Sequence, residues 1–240
     1  MKRHPEGTRT KERRSKMRFK NLAWGAFAFA GMTRNDYMSP YQDLATDATF
    51  LMRLQTGPST DDFQRLRDFL THYGVPWAPT NLADQYVSIW PRLKPHIERL
   101  ATEDIETCAL NREGIGDAIK EAYGCLQWPN VWGGDTVASK VLHFFNVSLF
   151  VMWDNDIQTA YGKSYGPQGY LEFLQEMQVY VQEIITDFEQ LSLPSTPAEF
   201  LSQHLGYKGV RPLTKFVDDY NWVTATKGWP LELPDWLQGL

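Results

Sequence analysis

Residues 168–191 constrain the fold more than any other part of the sequence. Apolar side chains recur there at positions i, i+3, i+4 and i+7 over more than five helical turns, the spacing that places them on one face of an α-helix. They are Tyr170, Phe173, Leu174, Met177, Tyr180, Val181, Ile184, Ile185, Phe188 and Leu191. No stretch of the chain alternates convincingly like a β-strand. The sequence therefore predicts an all-α protein.

Shorter segments with helical spacing predict further helices. The segment 81–100 contains Pro91 and Pro95, and we expect it to break or kink because proline lacks the N–H of an interior helical residue. The remaining predicted helices are 41–55, 60–73, 112–126, a short helix that starts at Thr196-Pro197, and Arg211–Thr224.

Charge is distributed unevenly along the 240 residues. Residues 1–20 contain nine Lys or Arg and two Glu, a net charge of +7, whereas the other 220 residues carry −12. The first segment has no apolar periodicity, so we expect a basic arm (1–20) that is disordered alone, followed by one helical domain (21–240). Two smaller basic clusters follow in that domain. They are Arg92/Lys94/His96/Arg99 and Lys208/Arg211/Lys215.

An apolar run covers residues 22–32 and is too short to span a bilayer. Arg13-Arg14 precedes the run, which keeps an export signal open as an alternative, but its bulky aromatic residues favour a buried segment of the fold. The two cysteines, Cys108 and Cys125, cannot form a disulfide framework or a four-cysteine metal site. We therefore expect a cytoplasmic protein without a metal or other cofactor.

The segment from Trp128 to Asp154 departs from ordinary helical sequence. Gly133 and Gly134 are expected to form a turn, and a new helix is expected to start near Asp135. The free backbone N–H groups in the first turn of this helix suit a phosphate. Along that helix Thr136, Lys140 and His143 lie on one face. The apolar run Leu149-Phe-Val-Met-Trp then leads to Asp154 at the expected N-cap of the next helix.

Residues 112–165 resemble the helix–hairpin–helix DNA glycosylase superfamily, which includes endonuclease III and the adenine-mismatch, alkyl-base and 8-oxoguanine glycosylases. Gly134-Asp-Thr-Val-Ala138 is similar to the family's Gly-x-(Lys or Ser)-x-Ala, with Thr136 where bifunctional members carry the catalytic lysine. Asp154 follows 18 residues later, the position of the catalytic aspartate. The hairpin differs from the family's usual one, since Trp128-Pro-Asn-Val-Trp-Gly-Gly134 replaces Leu-Pro-Gly-Val-Gly.

The resemblance implies two helical lobes with a cleft between them and a monomer that acts on double-stranded DNA. It implies hydrolysis of the N-glycosidic bond of a flipped base, which leaves an abasic site, with Asp154 as the catalytic carboxylate. Lys140 could reach the same space and act as a lyase nucleophile, or contact a phosphate. The expected DNA-backbone contacts are Gly133, Gly134 and Thr136. The basic arm and the two smaller basic clusters are further expected phosphate contacts. The expected base pocket comprises Trp24, Phe27, Trp128, Trp132, His143 and Trp153.

Two alternatives remain open from the sequence. The divergent hairpin favours a specialised substrate, such as a modified base of phage DNA attacked in antiviral defence, over repair of a housekeeping lesion. The second alternative keeps the helical fold without the chemistry: a DNA-binding or regulatory module in which Asp154 only caps a helix.

Overall fold

The computed structural model describes residues 18–33, 38–72, 75, 82–127 and 134–238. These residues form α-helices and connecting segments without any β-strand, which confirms the predicted all-α class. The helices are α1 Phe19–Thr33, α2 Met38–Ala45, α3 Ala48–Thr56, α4 Thr60–His72, α5 Leu82–Leu100, α6 Ile115–Leu126, α7 Gly134–Phe145, α8 Asn155–Tyr161, α9 Pro167–Glu189, α10 Pro197–His204, α11 Leu213–Asn221 and α12 Asp235–Gln238. A π-helical turn, Trp222–Thr226, continues α11. Residues 1–17 of the predicted basic arm lie outside the described residues.

The longest helix, α9, forms where the periodicity predicts it. Its apolar face is buried, and it packs against α6 and α1. The buried hydrophobic side chains of the described residues form one continuous cluster.

Two helix predictions need correction. The predicted 41–55 helix is divided into α2 and α3, because the Asp47 side chain accepts a hydrogen bond from Phe50 N (2.9 Å) and starts a new helix there. Conversely, of the break or kink expected at Pro91 and Pro95, the break does not occur, since α5 is one helix through both prolines. These prolines are four residues apart and exposed, so the carbonyl groups that lose an N–H partner lie on the solvent side of α5.

The apolar run 22–32 lies within α1, which is buried against α11. The two helices approach each other closely at Gly25: a Cβ atom on Gly25 would lie 2.8 Å from the Cα of Tyr220. A glycine is therefore needed there for the two backbones to pack at this distance. One turn further along α1, Phe29 lines the cavity described next.

Candidate functional site: a charged cavity at Asp154

A cavity of about 260 Å³ lies where α1, α7, α8 and α11 meet. We call it the Asp154 cavity. Its lining residues are Phe29, Val75, Thr136, Lys140, Met152, Trp153, Asp154, Ile157, Asp218, Trp222 and Lys227. Since ligand pockets commonly measure about 300–1,000 Å³, this volume suits one small ring system rather than a whole nucleotide.

Asp154 is held in a fixed orientation at the edge of this cavity. It is the N-cap of α8, and its Oδ1 accepts a hydrogen bond from Ile157 N at 2.8 Å. Its Oδ2 accepts a hydrogen bond from Thr226 Oγ1 at 2.7 Å. Thr226, from the π-helical turn, had no signal in the sequence because it lies 72 residues away. Each carboxylate oxygen thus has one protein donor and can still accept a further hydrogen bond.

The segment that leads to Asp154 is anchored to α7. Ser139 Oγ donates to Trp153 O (3.1 Å) and lies 3.2 Å from Trp153 N. The Trp153 indole N–H donates to the hydroxyl of Tyr123 on α6, 3.1 Å away. Because these partners are buried, Asp154 is placed next to α7 by hydrogen bonds rather than by an adaptable loop.

Lys140 lies one turn after Thr136 on α7, and its side chain enters the cavity half-buried. The described residues provide no hydrogen bond or ion pair to its Nζ. Burial lowers the pKa of Lys140, while the nearby carboxylates of Asp218 and Asp154 raise it and the ammonium of Lys215 lowers it further; the net direction is downward.

Asp218 connects the cavity to a buried ionic cluster formed by Arg211, Lys215, Asp218 and Asp219. Lys215 donates to Asp218 Oδ2 at 2.6 Å and also contacts Asp219 Oδ1, while Arg211 lies 3.3 Å from Asp219 Oδ2. The Arg211 guanidinium also stacks over the ring of Tyr207, 4.4 Å from its centroid. The second oxygen of Asp218, Oδ1, accepts no hydrogen bond from the described residues.

This cluster corrects one prediction from the sequence. Lys208, Arg211 and Lys215 were expected to form a basic cluster available to phosphates. The side chain of Lys215 is 0% exposed and that of Arg211 is 5% exposed, so neither can contact a phosphate at the surface. Both serve instead as counter-charges of buried carboxylates.

The structure brings Thr136, Lys140, Trp153 and Asp154 together, as residues that all line the cavity. The helix that carries Thr136 begins at Gly134. Trp128, Trp132 and Gly133 lie outside the described residues.

Three of the expected base-pocket residues do not line the cavity. Trp24 and Phe27 pack in the apolar core around α1. His143 is fully buried, with Nδ1 donating to Phe150 O (2.6 Å) and Nε2 accepting from the Tyr41 hydroxyl (2.9 Å). Burial lowers the pKa of His143 to about 3, so the ring is neutral and has a structural role.

Phe29 and Trp222 supply aromatic walls that sequence reasoning missed. Helix α1 is apolar on nearly every side, so periodicity could not indicate which of its aromatic residues faces the cavity. Trp222 stacks beneath Lys227, whose Nζ lies 4.6 Å from the ring centroid.

Comparison of the chain with protein-family models, curated proteins and solved structures found no match. Within the described ranges, no group of three His, Cys, Asp or Glu side chains could hold a metal ion. No helix in the same ranges combines the length and apolar character needed to cross a membrane.

Proposed function

We propose that the protein is a DNA glycosylase that hydrolyses the N-glycosidic bond of a flipped, modified or damaged base. The observation that carries this proposal is the meeting of Thr136, Lys140 and Asp154 in one cavity of about 260 Å³ with aromatic walls. The resemblance to the helix–hairpin–helix glycosylases singles out the first and last of these residues independently of their position in space. A base-sized cavity beside a carboxylate is what such an enzyme requires.

In this reaction Asp154 stabilises the positive charge that develops on the sugar as the bond to the base breaks. Water then adds to the anomeric carbon, and the products are the free base and an abasic site. Thr136 stands where bifunctional relatives carry a lysine nucleophile, so we propose a monofunctional enzyme. The hydrogen bonds from Ile157 N and Thr226 keep the carboxylate oriented before the substrate arrives.

Helix packing supports the two-lobed arrangement that the resemblance implies. Helices α2–α7 pack mainly on one another, whereas α1 packs on α9 and α11; α6 joins the two groups by packing on α9. The walls of the cavity come from both groups, since Phe29 belongs to α1 and Lys140 to α7. We propose that a monomer binds double-stranded DNA in the cytoplasm, with the start of α7 at the phosphate backbone.

The proposed substrate class rests on the sequence of the hairpin and on the charged groups of the cavity. The divergent hairpin and the mixed charge of the cavity favour a specialised substrate, and we propose a modified base of phage DNA, with antiviral defence as the role. The test is incubation of the protein with a panel of natural, damaged and phage-modified DNAs, followed by mass spectrometry of the released bases. The absence of base release from every member of the panel would contradict the proposed function.

The variant Asp154→Asn gives a sharper test. Asparagine is as good an N-cap as aspartate, so α8 should remain intact while the negative charge is removed. We expect a folded variant that binds duplex DNA with the affinity of the wild type and releases base at least about 100-fold more slowly. Full activity in this variant would rule out the proposed role of Asp154.

The non-catalytic alternative is a helical DNA-binding or regulatory module. It is favoured by the fact that both oxygens of Asp154 already have protein donors, as a purely structural cap requires. This alternative predicts that DNA binding persists without base release, and that Asp154→Asn changes neither property. The mass-spectrometric panel therefore decides between the two functions.

A further inference from the structure

The charged groups of the Asp154 cavity differ in how they are compensated. Asp154 accepts hydrogen bonds from Ile157 and Thr226, and Asp218 accepts one from Lys215. Lys227 lies over the ring of Trp222. The ammonium group of Lys140, in contrast, has no hydrogen bond or ion pair with any described residue.

The groups that face Lys140 affect its pKa in opposite directions. Burial and the ammonium of Lys215 favour the neutral amine, whereas the carboxylates of Asp218 and Asp154 favour the charged form, and together they lower the pKa of Lys140. Lys227 adds a further positive charge to the cavity from the π-helical turn. His143, on the same helix as Lys140, is neutral. A lysine of lowered pKa is a stronger acid than a lysine in water.

We propose that Lys140 is the general acid that protonates the departing base, an inference that rests on the proposed glycosylase function. As the bond between the anomeric carbon and the base nitrogen breaks, its electron pair moves into the base. A ring nitrogen or carbonyl oxygen of the base then takes a proton from the Lys140 ammonium. Water adds to the anomeric carbon, and the proton that it loses returns to the Lys140 amine, so charge and atoms balance over the cycle.

This role defines a class of substrate. A neutral base is a poor leaving group and gains from protonation, whereas a base made cationic by alkylation already leaves readily. The substrate class is therefore a neutral base that carries an acceptor nitrogen or oxygen conjugated with its glycosidic nitrogen.

Side-chain chemistry separates the role of general acid from two other roles that Lys140 could have. A lysine that contacts a phosphate acts through its charge alone, and arginine can replace it. A lysine nucleophile forms a covalent imine with the sugar, which leads to cleavage of the DNA strand. A general acid needs a proton that it can release, and arginine cannot supply one because its pKa exceeds about 12.

The test compares single-turnover rates of base release by wild type, Lys140→Gln and Lys140→Arg. Paired oligonucleotides carry bases that differ in leaving ability: uracil and 5-fluorouracil if the enzyme acts on pyrimidines, guanine and 7-methylguanine if it acts on purines. Lys120→Gln is the matched control, because Lys120 lies on α6 in a surface ion pair with Asp117 (2.8 Å).

We expect Lys140→Gln and Lys140→Arg to release the poorer leaving group about 100-fold or more slowly than the wild type does. For the better leaving group, the factor by which the rate falls should be at least tenfold smaller. The wild-type rate should fall as the pH rises through the pKa of Lys140, and this decrease should be absent in Lys140→Gln. Lys120→Gln should match the wild type. Circular dichroism and DNA affinity establish that each variant is folded and binds.

Three results would overturn the inference while leaving the proposed function intact. They are rescue by Lys140→Arg, an equal loss on both members of a substrate pair, and strand cleavage with a borohydride-trapped complex in the wild type. If the wild-type protein releases no base from the full panel, the proposed function itself fails, and the inference fails with it.

Discussion

Lys140 on α7 and Lys215 on α11 differ in how their positive charges are compensated. Lys215 lies between Asp218 and Asp219 with its side chain 0% exposed, so its charge is fully compensated. Lys140 enters a cavity without an ion pair among the described residues. A buried charge is costly unless it is paired. The comparison therefore separates a lysine that maintains the structure from a lysine available to a ligand.

Asp218 lies between these two lysines and belongs to both environments. One oxygen of Asp218 accepts a hydrogen bond from Lys215. The negative charge of Asp218 also opposes the lowering of the Lys140 pKa that burial causes. The ionic cluster thus fixes a negative charge at the wall of the cavity. In this way a structural ion pair also controls the electrostatics of the proposed reaction.

The largest expected effect on stability comes from removing the ammonium of Lys215. Lys215→Met should lower the free energy of unfolding by about 3–5 kcal/mol, because Asp218 and Asp219 would remain buried without their ammonium. Lys140→Met should change it by about 1 kcal/mol or less, because no ion pair is lost. Urea denaturation of both variants measures the difference. Similar losses in the two variants would contradict the distinction drawn between them.

A third basic group, His143, avoids the cost of burial by losing its proton. Its folded-state pKa of about 3 lies below its ordinary value of 6.5, so the unfolded chain binds the proton more tightly. Stability should consequently decrease as the pH falls below 6.5, by up to about 1.4 kcal/mol per pH unit from this group. Denaturation between pH 6.5 and 5 measures the slope. His143→Gln should remove this contribution, and an unchanged slope in that variant would refute the assignment.

The smallest expected effect concerns the carboxylate next to Lys140. Asp154→Ala should cost about 1 kcal/mol more than Asp154→Asn, because alanine removes the N-cap of α8 and the acceptor for Thr226. A loss of several kcal/mol in both variants relative to the wild type would mean that Asp154 and Lys140 act as an ion pair, and would weaken the comparison. Thermal or urea denaturation of the two variants distinguishes these outcomes.

Most of the helical framework could be predicted from the sequence, because amphipathic spacing and capping residues act locally. The predicted N-cap at Asp154 is observed, and Thr136 and Lys140 lie on the same cavity. The exposed position of Pro91 and Pro95 could not be predicted, since it depends on which face of α5 the rest of the chain covers. That position is the reason α5 remains continuous.

The ionic cluster was missed for a more general reason. Lys215 with Asp218 and Asp219 has the i, i+3 and i, i+4 spacing of helical ion pairs, but so does Lys94 with Glu98 on a solvent-exposed face. Spacing alone does not reveal burial, which depends on α1 and on Tyr41 from distant parts of the chain. The walls formed by Phe29 and Trp222 depend on the same long-range packing.

Gly25 affects the shape of the Asp154 cavity although it does not line it. Because any Cβ at this position would collide with the backbone of α11, a substitution must separate α1 from α11 locally. Phe29 lies one turn away on the same helix, so the placement of this aromatic wall depends on the close contact at Gly25. A substitution of Gly25 would therefore alter the shape of the cavity with every residue of its wall retained.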